Sequence, residues 1–163
     1  MANDRILCVM IDVSRDGVMK VDEVKRYAQL IKKMGYNALG LYMEDVYEIE
    51  GEPYFGHLRG RYTKAELREI NDYAKSIGIT AVPFIQTLAH LEGIFKWVEY
   101  ANIRDIANIL LVGEDRTYEL IDKMFKTMRE CFDTDIINIG MDEAPMMGRG
   151  AYLDKHGYPE SVQ

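Results

Sequence analysis

Four apolar runs alternate with segments of helical periodicity along this chain of 163 residues, and this alternation restricts the fold more than any other feature. Each run ends in charged residues, which is typical of a strand that is buried on both faces of a parallel sheet. We therefore predict strands at residues 5–13, 37–43, 79–85 and 136–141. Because strands that alternate with helices pair in parallel through right-handed crossovers, the predicted fold class is α/β.

The segments between these runs contain helix boundaries. Residues 21–34 carry apolar side chains at helical spacing, and Thr63 with Glu66 forms a capping box that starts a second helix. Asp115 is predicted to cap a third helix, helical character is predicted around residues 97–109, and a helical turn is predicted at residues 152–156. Residues 46–62, with three glycines and a proline, are predicted to form an ordered surface loop.

The length limits how many strand–helix units the chain can hold. An eight-unit (β/α)8 barrel typically needs about 250 residues, so this chain is too short for a whole barrel. Four units fit either a small open α/β sheet or the first half of such a barrel. We treat residues 1–163 as a single domain.

Charge and composition argue against several classes of function. The chain has 20 Lys and Arg residues against 27 Asp and Glu residues, whereas nucleic-acid binders normally carry a basic patch. We recognise neither a secretion signal nor an apolar stretch of membrane-spanning length, so we expect a cytoplasmic protein without a membrane partner. Cys8 and Cys131 lie within apolar or helical patterns and are predicted to be free thiols.

Polar side chains follow each predicted strand at its C-terminal end. In parallel α/β folds these ends share one rim, which is where active sites form. A single polar strand end signifies only that the chain has reached solvent, but four coincident clusters predict a common site. The clusters are Asp12 with Arg15, Glu44 with Asp45, Gln86 with His90, and Asp142 with Glu143.

The residue types in these clusters indicate acid catalysis. Two carboxylates such as Asp142 and Glu143 repel each other in one low-dielectric pocket, so one holds a proton and can act as a general acid. His90 either tunes a carboxylate or is a purely packed imidazole. Arg15 either holds sugar hydroxyls or a carboxylate, or forms a salt bridge. The only tryptophan, Trp97, is predicted to pack in the core, and no motif implies a cofactor.

Four ordered motifs together resemble the catalytic barrel of glycoside hydrolase family 20, the β-N-acetylhexosaminidases. They are IDVSR, LYMEDVYEIEGEPYFGHLRGRYT, PFIQTLAHLEG and NIGMDEA, and the resemblance covers nearly the whole chain. The long second motif is most similar to the bacterial exo-β-N-acetylglucosaminidase branch. The resemblance implies the first four units of a TIM barrel, without the domain that precedes the barrel in the family and without strands five to eight.

The same resemblance implies a reaction. Terminal β-linked N-acetylglucosamine or N-acetylhexosamine would be removed from glycans by substrate-assisted retaining hydrolysis. Glu143 would be the general acid that protonates the glycosidic oxygen. Asp142 would orient the 2-acetamido group, whose carbonyl oxygen attacks the anomeric carbon.

Further roles follow from the resemblance. Arg15 would hold hydroxyls of the terminal sugar, and His90 with Asp45 would form a polar relay that supports Glu143. The family's usual second motif carries paired aspartates where this chain has Glu44 and Asp45, so the choice between these two stays open. No cofactor is implied.

Two alternatives remain at this point. An open sheet with two unpaired edges predicts self-association, either with a second copy or with the missing half-barrel, and an isolated half-barrel that is inactive or nearly so. Alternatively, the acidic residues and the histidine at the rim could ligate Mg²⁺ or Mn²⁺ in a metal-dependent sugar enzyme. That ligand set would be Glu44, Asp45, His90, Asp142 and Glu143.

Overall fold

A three-stranded parallel sheet forms the centre of the protein, as a computed structural model describes it for residues 5–158. The strands are β1 (Cys8–Asp12), β2 (Ala38–Met43) and β3 (Thr80–Ile85), in that order across the sheet. The parallel α/β prediction is therefore confirmed. The remaining elements are α1 (Val21–Lys33), α2 (Lys64–Ser76), β4 (Arg104–Ile106), β5 (Ile109–Leu110), α3 (Asp115–Cys131) and α4 (Ala151–His156).

The helices α1, α2 and α3 cover one face of the sheet. Alternate strand residues such as Leu39, Leu41 and Ile85 point to this face and are fully buried among the apolar side chains of the helices. The opposite face carries Met10, which is 52% exposed, and Phe84, which is half-buried. One face of the sheet is thus a closed core, and the other is largely open.

The fourth predicted strand is not formed. Residues 136–141 make one isolated parallel bridge, between Asn138 and Phe84, and the Asn138 amide donates to the Pro83 carbonyl at 3.0 Å. The Asn138 side chain then accepts a hydrogen bond from the backbone amide of Gly140, which has a φ of 54°. The chain therefore turns away from β3 after a short stretch of pairing. This segment lies beside β3 without becoming a regular strand.

The helical character predicted around residues 97–109 is confirmed only for Val98–Ile103, which form a 3-10 helix. Two 3-10 helices, Ile94–Lys96 and Val98–Ile103, are separated by Trp97 in an extended conformation. A short antiparallel pair, β4 and β5, follows and turns at Ala107, whose φ is 49°. Local apolar spacing could not reveal this because each 3-10 turn is only a few residues long.

Other expectations need smaller changes. The capping box of Thr63 and Glu66 is confirmed, and so is a helix at the predicted turn near residue 152. The residue that caps α3 is Glu114, and Asp115 is the first residue of the helix. The predicted surface loop at residues 46–62 is instead largely packed into the core through the buried side chains of Val46, Tyr47, Ile49, Phe55 and Tyr62.

The cysteines are free, as predicted. Cys131 is buried and Cys8 is half-buried, and burial raises the pKa of both thiols. Among the described residues, none of the helices is both long and apolar enough to cross a bilayer.

Candidate active site

The C-terminal ends of the strands converge on one chain of hydrogen bonds. Gln86, which follows β3, donates from Nε2 to the Tyr42 hydroxyl at 3.0 Å and to Asp142 Oδ1 at 3.3 Å. Tyr42 in turn donates to Glu44 Oε1 at 3.3 Å. Side chains from β2, from the end of β3 and from the segment beside it therefore form one connected group at the rim.

His90 lies against both carboxylates of the candidate catalytic pair. Its Nε2 atom is 3.3 Å from Glu143 Oε2 and 3.8 Å from Asp142 Oδ2. The imidazole side chain is only 11% exposed, whereas the side chains of Asp142 and Glu143 are 61% and 73% exposed. The low-dielectric pocket expected around the two carboxylates is therefore not formed by the described residues.

Both partners of the closer contact have a left-handed backbone. The φ angles are 58° at His90 and 51° at Glu143, a conformation that costs a non-glycine residue roughly 1–2 kcal/mol. Backbone strain of this kind collects at functional sites, where the surrounding structure holds it in place. Here it brings the imidazole to the carboxylate of Glu143.

Arg15 presents its guanidinium group to the same rim from the loop after β1. It donates from Nη2 to the Tyr42 hydroxyl at 3.1 Å, and its Nε atom is 3.5 Å from Glu44 Oε1. A salt bridge to Asp12 at 3.3 Å is also present, which is one of the two alternatives left open by the sequence. The side chain of Arg15 is nevertheless 54% exposed, so its guanidinium group still reaches solvent.

Tyr42 is a residue that the sequence analysis missed. Burial raises its pKa to about 12, so the phenol is protonated at neutral pH and can donate to Glu44 while it accepts from Arg15 and Gln86. Its position in the sequence could have indicated a site residue, because Tyr42 lies in β2 two residues before Glu44, on the face of the sheet that the helices leave open.

Asp45 lies away from His90. Its carboxylate is buried, and its Oδ1 atom is 3.5 Å from Arg59 Nη2. A Cβ atom at Gly93 would overlap this carboxylate, so the loop after β3 packs directly on Asp45. Neither Glu44 nor Asp45 lies within ion-pair distance of His90, so the predicted contact between His90 and Asp45 is not formed.

The physical reason is the set of partners that each carboxylate has. Glu44 contacts Arg15 and Tyr42, and Asp45 contacts Arg59. The Nη2 atom of Arg59 lies between the two carboxylates, 3.9 Å from Glu44 Oε2 and 3.5 Å from Asp45 Oδ1. Burial raises the pKa of Asp45, although the positive charge of Arg59 opposes that shift. Arg59 was also missed by the sequence analysis, because the long loop that carries it has no period.

Three of the rim residues are close enough to share a cation. One ligand atom from each of His90, Asp142 and Glu143 lies within 4.8 Å of the others. Glu44 and Asp45 are not part of this group, so the five-residue ligand set considered from the sequence is reduced to three.

Comparison with known proteins gives one consistent result. The family model described as glycosyl hydrolase family 20, catalytic domain, matches residues 8–157. Human hexosaminidase D is 25% identical over 135 residues, which are 80% of this chain and 28% of that protein. The beta-hexosaminidase of Vibrio furnissii is 27% identical over 135 residues, which are 76% of this chain and 21% of that protein.

Solved structures agree with these sequence relatives. A mutant Streptomyces plicatus beta-hexosaminidase in complex with the product GlcNAc has a TM-score of 0.72 at 29% identity, over 84% of this chain and 32% of that one. The exo β-N-acetylglucosaminidase of Vibrio harveyi shares the fold, with a TM-score of 0.80 at 20% identity, over 96% of this chain and 31% of that one. The chain thus spans less than two fifths of the length of the curated relatives it matches.

Proposed function

Because this chain belongs to glycosyl hydrolase family 20, we propose that it is the N-terminal, four-unit half of a β-N-acetylhexosaminidase barrel and carries the catalytic carboxylates. The observation that supports this proposal most directly is the contact of His90 with Glu143 at 3.3 Å, beside an Asp142 that Gln86 holds at 3.3 Å. The proposed substrates are glycans that end in β-linked N-acetylhexosamine.

The proposed reaction is substrate-assisted and retains the anomeric configuration. Glu143 protonates the glycosidic oxygen while the carbonyl oxygen of the 2-acetamido group attacks the anomeric carbon and the bond to the aglycone breaks. Asp142 orients the acetamido group and stabilises the positive charge of the resulting oxazolinium ion. Water then attacks the anomeric carbon, whose bond to the acetamide oxygen breaks to restore the acetamido group. The water gives up a proton to the Glu143 carboxylate, which restores the acid.

The remaining residues position these groups. Arg15 offers its exposed guanidinium donors to hydroxyls of the terminal sugar. His90 holds the carboxylate of Glu143 by direct contact. We assign Asp45 an indirect part, because it packs against Gly93 and so fixes the loop that leads away from His90.

We predict a large difference in how the two carboxylates respond to substitution, in a protein that contains this half together with the rest of the barrel. Glu143→Gln removes the proton donor, so hydrolysis of substrates with poor leaving groups should fall by a factor on the order of 10² to 10⁴. Activated aryl glycosides should be affected much less, because a good leaving group needs little protonation.

Asp142→Asn is the matched control, because it weakens the acetamide interaction, which no leaving group replaces. Its loss of activity should be similar for both substrate classes. The measurement is kcat/KM for a series of aryl N-acetyl-β-glucosaminides of graded leaving-group acidity. A Glu143→Gln variant whose activity does not depend on the leaving group would remove Glu143 from the role of general acid.

We also predict that the isolated chain turns substrate over weakly or not at all. The two carboxylates are more than half exposed, and the reaction depends on walls that exclude water from the site. Release of 4-nitrophenol from 4-nitrophenyl N-acetyl-β-glucosaminide measures this directly. A rate equal to that of an intact family member would contradict the half-site proposal.

One observation favours a second candidate, a metal-dependent sugar enzyme on the same rim. The close approach of His90, Asp142 and Glu143 suits a divalent cation with nitrogen and oxygen ligands. Elemental analysis of the purified chain tests it, because a stoichiometric, tightly bound metal that is lost in His90→Gln would favour this candidate over the metal-free reaction.

A further inference from the structure

Three aromatic side chains lie in contact on the two loops that follow β2 and β3. Tyr54 and His57 come from the loop after β2, and Trp97 comes from the loop after β3. The ring centroids are 5.2 Å apart for Tyr54 and Trp97, 4.9 Å for His57 and Trp97, and 5.8 Å for Tyr54 and His57. These are the distances of packed aromatic pairs, so the three rings form one unit, the aromatic cluster.

The aromatic cluster is only partly covered by protein. Tyr54 and Trp97 pack with one side on the core and are half-buried, whereas His57 is exposed. The next residues in the chain add apolar surface, since Leu58 is 85% and Val98 is 81% exposed. Leu58 also has a φ of 61°, which is uncommon for a residue with a side chain. The two loops thus expose apolar side chains that are next in sequence to rings of the aromatic cluster.

The polar atoms of the aromatic cluster are unused. Within residues 5–158, no hydrogen bond joins the Tyr54 hydroxyl, the His57 ring nitrogens or the Trp97 indole N–H to another residue. Saccharides combine an apolar C–H face with a rim of hydroxyl and amide groups. Rings with a flat apolar face and free hydrogen-bond donors at their edge match both features of a saccharide. A purely apolar ligand would not use the donors, and a charged ligand would not use the apolar face.

Contacts to Asp45 connect the aromatic cluster to the rim that holds the catalytic pair. Arg59, two residues after His57, lies 3.5 Å from Asp45. Gly93, four residues before Trp97, packs on the same carboxylate. Both loops of the cluster therefore meet at a residue whose chain neighbour, Glu44, contacts Arg15 at the rim.

From these observations we propose that the aromatic cluster is a saccharide-binding surface that holds N-acetylglucosamine-containing glycans beside the catalytic rim. The ligand class rests on the proposed function, whereas the surface itself rests on the rings and their unused donors. The aromatic cluster and the catalytic pair consist of different residues on different loops. Saccharide binding at the cluster can therefore be tested separately from catalysis.

Trp97 provides the test, because it is the only tryptophan of the chain and its fluorescence reports on the aromatic cluster alone. We expect titration of the purified chain with triacetylchitotriose to change the emission of Trp97 in a saturable manner. His57→Ala, which alters an exposed ring and keeps the tryptophan, should weaken the apparent affinity about fivefold. Leu58→Asn, which suits the left-handed backbone, should weaken it as well.

Two control variants separate the aromatic cluster from the rest of the molecule. Tyr158→Ala removes an aromatic ring that is 84% exposed elsewhere and should leave the titration unchanged. Leu30→Asn removes an apolar side chain that is 53% exposed on α1 and should change the affinity by less than about twofold.

Each other result overturns the assignment. If calorimetry detects binding of triacetylchitotriose but the emission of Trp97 stays constant, the sugar binds elsewhere and only the proposed function stands. If His57→Ala and Leu58→Asn both bind the sugar as tightly as the unaltered chain does, the sugar does not bind at the cluster. If neither method detects binding at millimolar sugar, the cluster is not a saccharide surface, while the reaction remains testable in the complete barrel.

Discussion

Asp45 is buried at the rim, and neither carboxylate oxygen has a hydrogen-bond partner. Burial raises its pKa, so the folded protein binds a proton at this group more strongly than the unfolded chain does. The free energy of unfolding must therefore fall as the pH rises from the ordinary Asp range, near 3.9, through the folded pKa. At neutral pH the charged carboxylate destabilises the fold, a common property of residues kept for function.

We predict that Asp45→Asn raises the free energy of unfolding at pH 7 by about 1 kcal/mol, since the amide has the same shape and no charge to desolvate. The gain should shrink as the pH falls through the raised pKa of Asp45, because the carboxylate then becomes protonated in the folded protein. Urea denaturation at several pH values measures both effects. Asp22→Asn is the control, because the side chain of Asp22 is 91% exposed, and a loss of stability in Asp45→Asn would contradict the argument.

Individual site residues were predictable where chemistry and position coincided. Asp142, Glu143, His90 and Arg15 follow predicted strands, and the structure places all four at one rim. His90 contacts Glu143, as the resemblance implied. That Asp45 takes no part in this contact was not predictable, because Asp45 packs against Arg59 and Gly93, which come from loops without a sequence period. Sequence spacing gives the position of a carboxylate along the chain but not the side of the chain that it faces.

At the scale of elements, Asp105 connects the hairpin of β4 and β5 to the segment that follows the catalytic pair. Its carboxylate accepts hydrogen bonds from three backbone amides, those of Gly148 at 2.6 Å, Gly150 at 3.2 Å and Tyr152 at 2.9 Å. Asp105 is itself buried, and hydrogen bonds to a charged group are worth about 1.5–3 kcal/mol each. This one side chain therefore holds the start of α4 and the loop before it.

We predict that Asp105→Ala lowers the free energy of unfolding by about 2 kcal/mol, because the buried amide of Gly148 loses its acceptor and the partly buried amides of Gly150 and Tyr152 must bond to water instead. Amide hydrogen exchange should accelerate most in residues 144–156, whereas protection in the parallel sheet should fall only with the global free energy of unfolding. Mass-spectrometric exchange on the two variants Asp105→Ala and Asp154→Ala measures it. Asp154 is an exposed aspartate within α4, so its substitution should leave the exchange pattern as it is.

Elements with strong local signals were predicted well, and those that depend on distant partners were not. The periodicity of α1 and the capping box of α2 are set by residues a few positions apart. The failure at residues 136–141 is different in kind. These residues have the composition of a strand, but they make only one bridge to β3 before the side chain of Asn138 and the left-handed Gly140 turn the chain away.

At the scale of the whole molecule, the sheet has one covered face and one open face. The open side and its two edges expose large apolar side chains, which are Ile6, Leu7, Met10, Ile136, Ile139 and Met141. An exposed edge strand with apolar neighbours is a template for pairing with another chain. The chain spans 28% of human hexosaminidase D and 32% of the Streptomyces plicatus enzyme, and under the half-barrel proposal this surface packs against the rest of the barrel.

A second copy of the chain can cover the open face and pair with the exposed edges. In a dimer whose two-fold axis runs along the strands, β1 of each copy meets residues 136–141 of its partner, and all pairing stays parallel. In such a dimer each copy contributes four strand positions, and the two catalytic pairs lie at the same end of the combined sheet. We therefore predict that the 18.8 kDa chain self-associates at micromolar concentration, which sedimentation equilibrium in reducing buffer measures as a mass of at least twice that value.

Met10→Lys is the variant that distinguishes association through this open face from non-specific association. Met10 is 52% exposed on the open face, and Leu30 is 53% exposed on α1, outside it. A lysine at residue 10 puts an unpaired charge into the interface and should weaken association at least tenfold, because a buried charge without a partner costs several kcal/mol. Leu30→Lys should leave association unchanged. A compact monomer at micromolar concentration, or equal effects of the two substitutions, would show that the open face is not what joins the copies.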